Sequence, residues 1–155
     1  MIKEKAYVLS TIHGAQSLEL ARLSGGAQQL LPGVGTPTEG QLETAIEMAE
    51  DWLMPHVKGL HGGVLRLQDT SGRWTSGLSS VLGSKTRSWS LTAIEQDFLK
   101  VIDQIARRNP SSEFDRHRLF VADLLLVREL AHHGRVISVS LQTFENDSEN
   151  RRPTS

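Results

Sequence analysis

Acid–base chemistry is the first possibility that the sequence raises, because two aspartates, an arginine and a histidine that could act together lie within nine positions. These are Asp115, Arg116, His117 and Asp123. Arg116 and Asp123 are seven residues apart, so on a helix they lie two turns apart along one line. Apolar residues flank Asp123, and a buried carboxylate needs a hydrogen-bonded partner. We expect that partner to be Arg116 or a base from the segment that carries Lys85 and Arg87.

Two interpretations of Asp123 remain open from the sequence. A buried aspartate with a raised pKa can act as a general base, with His117 as its partner. The same burial is typical of a structural ion pair or of an interface residue, since structural networks also perturb pKa values. We favour the structural interpretation, and His117, Asp123 and Arg116 stand as the candidate catalytic residues.

Histidines suggest a second kind of site, a metal centre. His56 and His61 flank a short segment, where two imidazoles can converge on one ion together with Asp69 or a glutamate. Their spacing matches no recognised ligand motif, so we expect no metal and no cofactor. His132 and His133 are adjacent and point about 100° apart on a helix. We expect them to stabilise the helix C-terminus instead of sharing an ion.

An anion site is the third possibility. Residues 76–90 are rich in serine and glycine and include Lys85 and Arg87 but no acidic residue. The GSKT sequence within them lacks the Gly-Lys-Ser/Thr order of a phosphate-binding loop. Basic side chains and backbone N–H groups can still bind an anion there. Trp74 and Trp89 border the segment and can either stack on a base or ring or anchor it to the core; we favour the core.

Composition restricts the class of protein. The chain has 155 residues, no cysteine and a formal net charge of −1 at pH 7. The absence of cysteine removes disulfides, thiolate metal sites and cysteine nucleophiles, and the balanced charge argues against a nucleic-acid partner. No apolar run near the N-terminus is long enough for a signal peptide, so we expect a cytoplasmic protein without a membrane role. We predict one globular domain over residues 1–144 and a disordered tail over 145–155.

Hydrophobic periodicity and capping residues predict the order of helices and strands. The first half of the chain is predicted to form a strand at 6–12 (or an amphipathic helix from Met1), a helix at 15–23, a loop at 25–35 and a helix capped by Thr36 and ended by Pro55. A β-hairpin at 64–75 and a loop at 76–90 follow. The predicted elements after the loop are a helix capped by Thr92, a helix from Ser111 or Ser112 to a C-terminal Gly134, and a strand at 137–141. The helix that ends at Gly134 is apolar nearly all round, so we expect it to lie buried at the centre of the fold.

These elements predict an α+β fold with a small, mainly antiparallel sheet of about four strands and helices packed on one face. The helix that Pro55 ends has acidic residues along one side. We interpret that side as a solvated face, the alternative being a docking surface for a basic partner.

The lack of any catalytic spacing favours a non-enzymatic binding or accessory protein. We expect it to act through protein–protein contacts and to form a homodimer. The alternative is a small enzyme or an anion- or metabolite-binding protein, with its site between the 76–90 loop and the 112–133 helix. The ligand-binding residues would then be Lys85, Arg87, Trp74 and Trp89.

Overall fold

A computed structural model describes residues 6–13, 15–57, 63–107 and 116–142 of the chain. These residues form five strands and five helices. In chain order they are β1 (Ala6–His13), β2 (Gln16–Ser24), α1 (Gly26–Leu30), α2 (Glu39–Leu53), β3 (Val64–Gln68), α3 (Arg73–Leu82), β4 (Ser88–Ser90), α4 (Leu91–Ala106), α5 (Arg118–His133) and β5 (Ser138–Gln142). The predicted α+β class is therefore confirmed.

The described strands form two small sheets instead of one sheet of four strands. β1 and β2 are an antiparallel pair, and the second sheet has the order β3-β5-β4. In that second sheet β5 runs parallel to β3 and antiparallel to β4. β5 is therefore the central strand, and β3 and β4 are edge strands among the residues described.

Helix α5 lies at the centre of the fold, as its sequence predicts. Twelve of its sixteen residues are buried, and α1, α2, α3 and α4 all contact it. A helix that is apolar on nearly every side must be covered on nearly every side, and each neighbouring helix covers one part of it. The predicted start of this helix at Ser111 or Ser112 lies outside the described residues, as does the predicted tail at 145–155.

The 15–23 segment is a strand, so the helix predicted there is wrong. β2 pairs with β1 from His13 opposite Gln16 to Ala6 opposite Ser24, with one irregularity after Leu9. Leu, Ala, Glu and Arg favour helices, but a backbone ladder along the whole of β1 overrides that weak preference. The predicted 25–35 loop also contains α1, whose Leu30 is buried.

The hairpin predicted at 64–75 is wrong in its second half. The Asp69 carboxylate accepts hydrogen bonds from the backbone N–H of Ser71 at 2.9 Å and of Trp74 at 2.7 Å. Gly72 adopts a left-handed conformation with φ of 78° at the cap of α3. The bond from the Trp74 N–H ties Asp69 to the first turn of α3, so the turn leads into a helix and not back into a strand. The predicted 76–90 loop is accordingly most of α3, a short connection and β4.

The helix ends differ from prediction by small shifts. α2 is capped by Thr38 in a capping box with Gln41, two residues after the predicted Thr36. α4 is capped by Ser90, whose hydroxyl accepts from the Ala93 N–H at 3.1 Å, two residues before the predicted Thr92. Both caps satisfy N–H groups that the first helical turn leaves unpaired.

The C-terminus of α5 is closed by Arg135 and not by Gly134. Gly134 has a right-handed backbone (φ −79°), whereas Arg135 has φ of 47°. The N–H of Val136 donates to the Ala131 carbonyl at 3.2 Å, and that of Arg135 to the His132 carbonyl at 3.4 Å. These two bonds form a Schellman motif, so a non-glycine residue occupies the left-handed position.

No helix among the described residues is long and apolar enough to cross a membrane.

Candidate functional site

Asp123 lies at the centre of a buried polar cluster with Tyr7 and Arg73. Its side chain is fully buried. Arg73 donates to it through Nε at 2.7 Å and through Nη2 at 2.9 Å, and the Tyr7 hydroxyl donates to Oδ1 at 2.5 Å. We call these three residues the Asp123 cluster. It joins β1 and the start of α3 to the middle of α5.

Burial dominates the electrostatics of the Asp123 cluster. Loss of solvent raises the pKa of Asp123 to about 6, although the bonds from Arg73 and Tyr7 lower it. Burial and the neighbouring carboxylate also raise the pKa of Tyr7 well above its usual value. At neutral pH Asp123 is therefore a carboxylate whose two oxygens both accept hydrogen bonds from within the protein. This arrangement suits a structural ion pair.

The partners of Asp123 differ from those expected. The sequence predicts Arg116, Lys85 or Arg87 as the partner, but the cation is Arg73, which the sequence assigns to the second strand of a hairpin. Arg116 is exposed. His117 precedes α5 and lies about 9 Å along its axis from Asp123. The apolar neighbours of Asp123 in the sequence indicate that it needs a partner. The identity of that partner could not be predicted, because Arg73 begins α3 and the sequence pattern does not predict that helix.

A second buried cation escaped sequence analysis. Arg118 is only 4% exposed. It donates to the carbonyl groups of Pro32 at 2.6 Å, Gly35 at 2.9 Å and Leu31 at 3.4 Å, and to the side-chain oxygen of Gln41 at 3.1 Å. Burial lowers the pKa of Arg118. These hydrogen bonds of the Arg118 guanidinium hold the connection between α1 and α2 against the first turn of α5.

A groove of about 590 Å³ lies on the described surface. Its walls are β1 with the beginning of β2 on one side and β3 on the other, and α5 forms its floor. We call it the edge groove. Its volume falls within the range of about 300–1,000 Å³ that is typical of ligand sites. The Asp123 cluster closes one part of its floor.

The edge groove runs along strand edges and not across a sheet face. It touches Tyr7 to Ser10 on β1 and Leu65 to Gln68 on β3. Successive residues of a strand point to opposite faces, so a space that touches four in a row lies beside the strand. Among the described residues, β3 pairs with β5 alone. The groove therefore follows the other edge of β3.

A smaller cavity of about 300 Å³ lies beside Lys85 and Arg87. Its walls come from α3, the 83–87 connection and Leu141 of β5, and α5 does not line it. The alternative site predicted between the 76–90 loop and the 112–133 helix is thus bounded by α3 and β5. Both basic side chains are exposed.

Trp74 and Trp89 lie in the core. Trp74 is fully buried and Trp89 is 3% exposed, and their rings meet edge to face at 5.5 Å. Phe120 packs against Trp74 at the same distance. Neither ring has an exposed face on which a nucleic-acid base could stack, and both rings pack in the core.

The two histidines considered as metal ligands are only partly described. His56 follows α2 and is partly buried, and its N–H donates to the Leu53 carbonyl at 2.9 Å. His61 lies outside the described residues, so the expectation that the pair holds no metal stays a prediction.

No protein-family model matches the sequence, and no curated protein matches it closely enough to count as a relative.

Proposed function

We propose that this is a non-enzymatic binding protein that holds an extended segment of a partner protein in the edge groove. The observation that carries the proposal is the edge of β3 that pairs with no other strand among the described residues and forms one wall of a groove of about 590 Å³. A strand edge exposes unpaired N–H and C=O groups, and proteins recognise extended peptides by pairing them with such an edge.

The direction of the backbone groups supports strand addition at β3. The Gly63 carbonyl accepts from the Ile137 N–H, beside β5, at 2.8 Å. Backbone polar groups alternate in direction along a strand, so those of Leu65 and Leu67 point toward β5. Those of Arg66 then point into the edge groove, where an added strand would meet them.

The side chains of the edge groove favour an amphipathic segment. Leu126, Val127 and Leu130 of α5 form an apolar floor, whereas Glu19 and Arg66 stand at the walls. A strand lying in the groove would direct alternate side chains down to the floor and out to the solvent. We therefore expect a partner segment in which apolar and polar residues alternate.

The state of Asp123 supports a binding role over catalysis. A general base needs an oxygen within hydrogen-bond reach of its substrate. Asp123 is fully buried, and both of its oxygens already accept from Arg73 or Tyr7. We therefore assign it to holding β1 and α5 together beneath the groove.

A selection of displayed peptides against the whole chain tests the proposal. We expect the selected peptides to share alternating apolar residues, and we expect Arg66→Pro to weaken their binding at least about tenfold, because proline removes the N–H that faces the groove. Proline is tolerated where an edge N–H points away from the sheet, and circular dichroism checks that the variant folds. The matched control is Arg66→Ala, which keeps the N–H and should bind nearly as well as the native chain.

A chemical variant of the peptide provides an independent test. N-methylation of alternate peptide nitrogens should abolish binding in one register and spare it in the other, because only one set of N–H groups faces β3. Equal binding by Arg66→Pro and Arg66→Ala, with no sensitivity to N-methylation, would contradict strand addition.

The homodimer predicted from the sequence is proposed on the same surface. The open edge of β3 can pair with a second copy, and light scattering of the native chain beside Arg66→Pro tests it. A dimer that persists unchanged in Arg66→Pro would exclude this edge as its interface. We also propose a cytoplasmic location, which the cysteine-free sequence fits; cell fractionation tests it.

Anion or metabolite binding is the second candidate function, and the 300 Å³ cavity beside Lys85 and Arg87 favours it. Two exposed cations beside a cavity suit a phosphate-bearing molecule. Inorganic phosphate and nucleotides should then raise the melting temperature of the native chain but not of Lys85→Ala. Lys100→Ala, on the exposed side of α4, is the control. A melting temperature that no anion changes removes this candidate.

A further inference from the structure

We infer that Glu50, Glu129 and His133 form a zinc-class divalent metal site between α2 and α5. Among the described residues these three offer ligand atoms that all lie within 4.8 Å of one another. Glu50 belongs to the last turn of α2, and Glu129 and His133 are one turn apart at the end of α5. The inference is independent of the edge groove and of any partner bound there.

The spacing of the ligand atoms fits a tetrahedral ion. His133 Nε2 lies 3.1 Å from Glu129 Oε2 and 3.4 Å from Glu50 Oε1. Zinc binds histidine nitrogen and carboxylate oxygen at about 2.0–2.2 Å, which places neighbouring ligands of a tetrahedron about 3.3–3.6 Å apart. His133 Nε2 is thus within a few tenths of an ångström of tetrahedral spacing from both carboxylate oxygens, and the three ligand atoms all lie within 4.8 Å of one another. We place these three atoms on one face of the tetrahedron. The fourth position is left for water or another ligand.

The surroundings of Glu129 hold it in place for this role. Its side chain is only 1% exposed, which is rare for a glutamate without a specific partner. Arg128 donates to Glu129 Oε1, so Oε2 remains the oxygen that faces His133. A hydrogen bond to a ligating carboxylate from a second residue is the usual way that proteins orient it.

Charge also favours a dication. Arg128 is paired through two bonds with Glu95, Nε to Oε2 at 2.7 Å and Nη2 to Oε1 at 3.1 Å, and it lies over the Phe98 ring at 5.1 Å. The Glu95 carboxylate thus offsets the charge of Arg128. Glu50 and Glu129 are left to neutralise an ion of charge +2.

The ion can reach the site from solvent. The side chain of His133 is 26% exposed and that of Glu50 is 43% exposed, whereas Glu129 forms the buried end. One imidazole and two carboxylates suit zinc better than magnesium or calcium, which prefer oxygen ligands alone. The adjacent His132 does not belong to the three-residue group, and it provides a natural control.

Isothermal titration calorimetry of the full chain with ZnCl₂ tests the inference. We expect one high-affinity Zn²⁺ per chain, and a loss of about 100-fold or more in affinity for both His133→Ala and Glu50→Gln, because losing a direct ligand should exceed the 10–100-fold effect of losing an outer-shell partner. Both side chains are partly exposed, so both variants should fold. Glu129→Gln should weaken binding similarly, with its melting curve measured alongside. His132→Ala and Glu47→Gln, neighbours outside the group, should bind as the native chain does.

Cobalt gives a readout of geometry. Co²⁺ bound in four-coordinate form absorbs visible light more strongly than six-coordinate Co²⁺, so the native chain should develop a strong band that His133→Ala lacks. Absence of saturable Zn²⁺ binding overturns the inference. Binding that His133→Ala and Glu50→Gln leave unchanged also overturns it, because the ion would then be held by other residues.

Discussion

Replacing Asp123 with alanine should destabilise the protein by about 3–5 kcal/mol at pH 7, the usual cost of removing one partner of a buried ion pair. The change leaves two donors without an acceptor. The Arg73 side chain is only 15% exposed, and Tyr7 is 2% exposed. An unpaired buried hydroxyl alone costs about 1–3 kcal/mol, and an unpaired charged group costs more.

The same reasoning predicts that removing the whole Asp123 cluster is far less harmful than removing one member. Replacing a buried ion pair with apolar residues of similar volume is often neutral or stabilising by about 1–4 kcal/mol. The triple variant Tyr7→Phe, Arg73→Met, Asp123→Leu should therefore be within about 1 kcal/mol of the native chain, or more stable than it. Asp123→Asn should fall between, because it keeps the shape and loses the charge.

Urea denaturation followed by circular dichroism measures these differences, provided that the slope with urea is the same for each variant. Two results would refute the structural role of the cluster. One is a loss below about 1 kcal/mol in Asp123→Ala. The other is a triple variant as unstable as that single variant, since the loss would then come from cavity formation and not from unpaired donors.

Three further perturbations test the fold. The pKa of Asp123 is about 6 in the folded protein, against 3.8 for an ordinary aspartate. Between those two pH values the folded chain therefore binds one more proton at Asp123 than the unfolded chain does. The contribution of Asp123 to the free energy of unfolding should fall by about 3 kcal/mol as the pH rises from about 4 to 6, and stay constant above pH 6. The stability of the native chain relative to Asp123→Asn, from urea curves at each pH, should accordingly fall over that window; a rise would contradict the account. A Cβ at Gly77 would overlap the Phe120 ring, so Gly77→Ala should lower stability by at least about 1–3 kcal/mol. Gly40→Ala should instead raise stability by about 0.5–1 kcal/mol, because beyond its chain neighbours and the backbone of its own helix the added carbon meets nothing within 4 Å; equal effects in thermal melts would show that α3 does not pack on α5 this closely. Arg135 holds a left-handed backbone, so Arg135→Gly should raise stability by up to about 1 kcal/mol, and a lower melting temperature would argue against the Schellman closure of α5.

The parts of the fold that could be predicted are those in which burial determines the order of apolar and polar residues in the sequence. Leu124 and its apolar neighbours leave α5 almost no polar side, and a helix of that kind has to lie at the centre. The acidic side and apolar stripe of α2 identify a surface helix in the same way. Caps were found only to within two residues, because Thr36 and Thr38 are equally good candidates until the loop before them is fixed by Arg118.

The parts that could not be predicted depend on partners distant in the chain. β2 has the composition of a helix and becomes a strand only because β1 is beside it. The Asp69 turn serves a hairpin or a helix equally well, and its bond to the Trp74 N–H decides between them. That error concealed α3 and, with it, Arg73 as the partner of Asp123. The edge groove could not be predicted from the sequence, because it is formed by the space between two separate sheets.

Amide hydrogen exchange at Arg66, measured by NMR with and without a selected peptide, tests the central claim most directly. Strand addition predicts that the bound peptide slows exchange of the Arg66 N–H at least about tenfold, because that N–H faces the edge groove, while the Leu65 N–H, which faces β5, is protected in both states. An Arg66 N–H that exchanges at the same rate when the groove is saturated would contradict the proposed mode of binding.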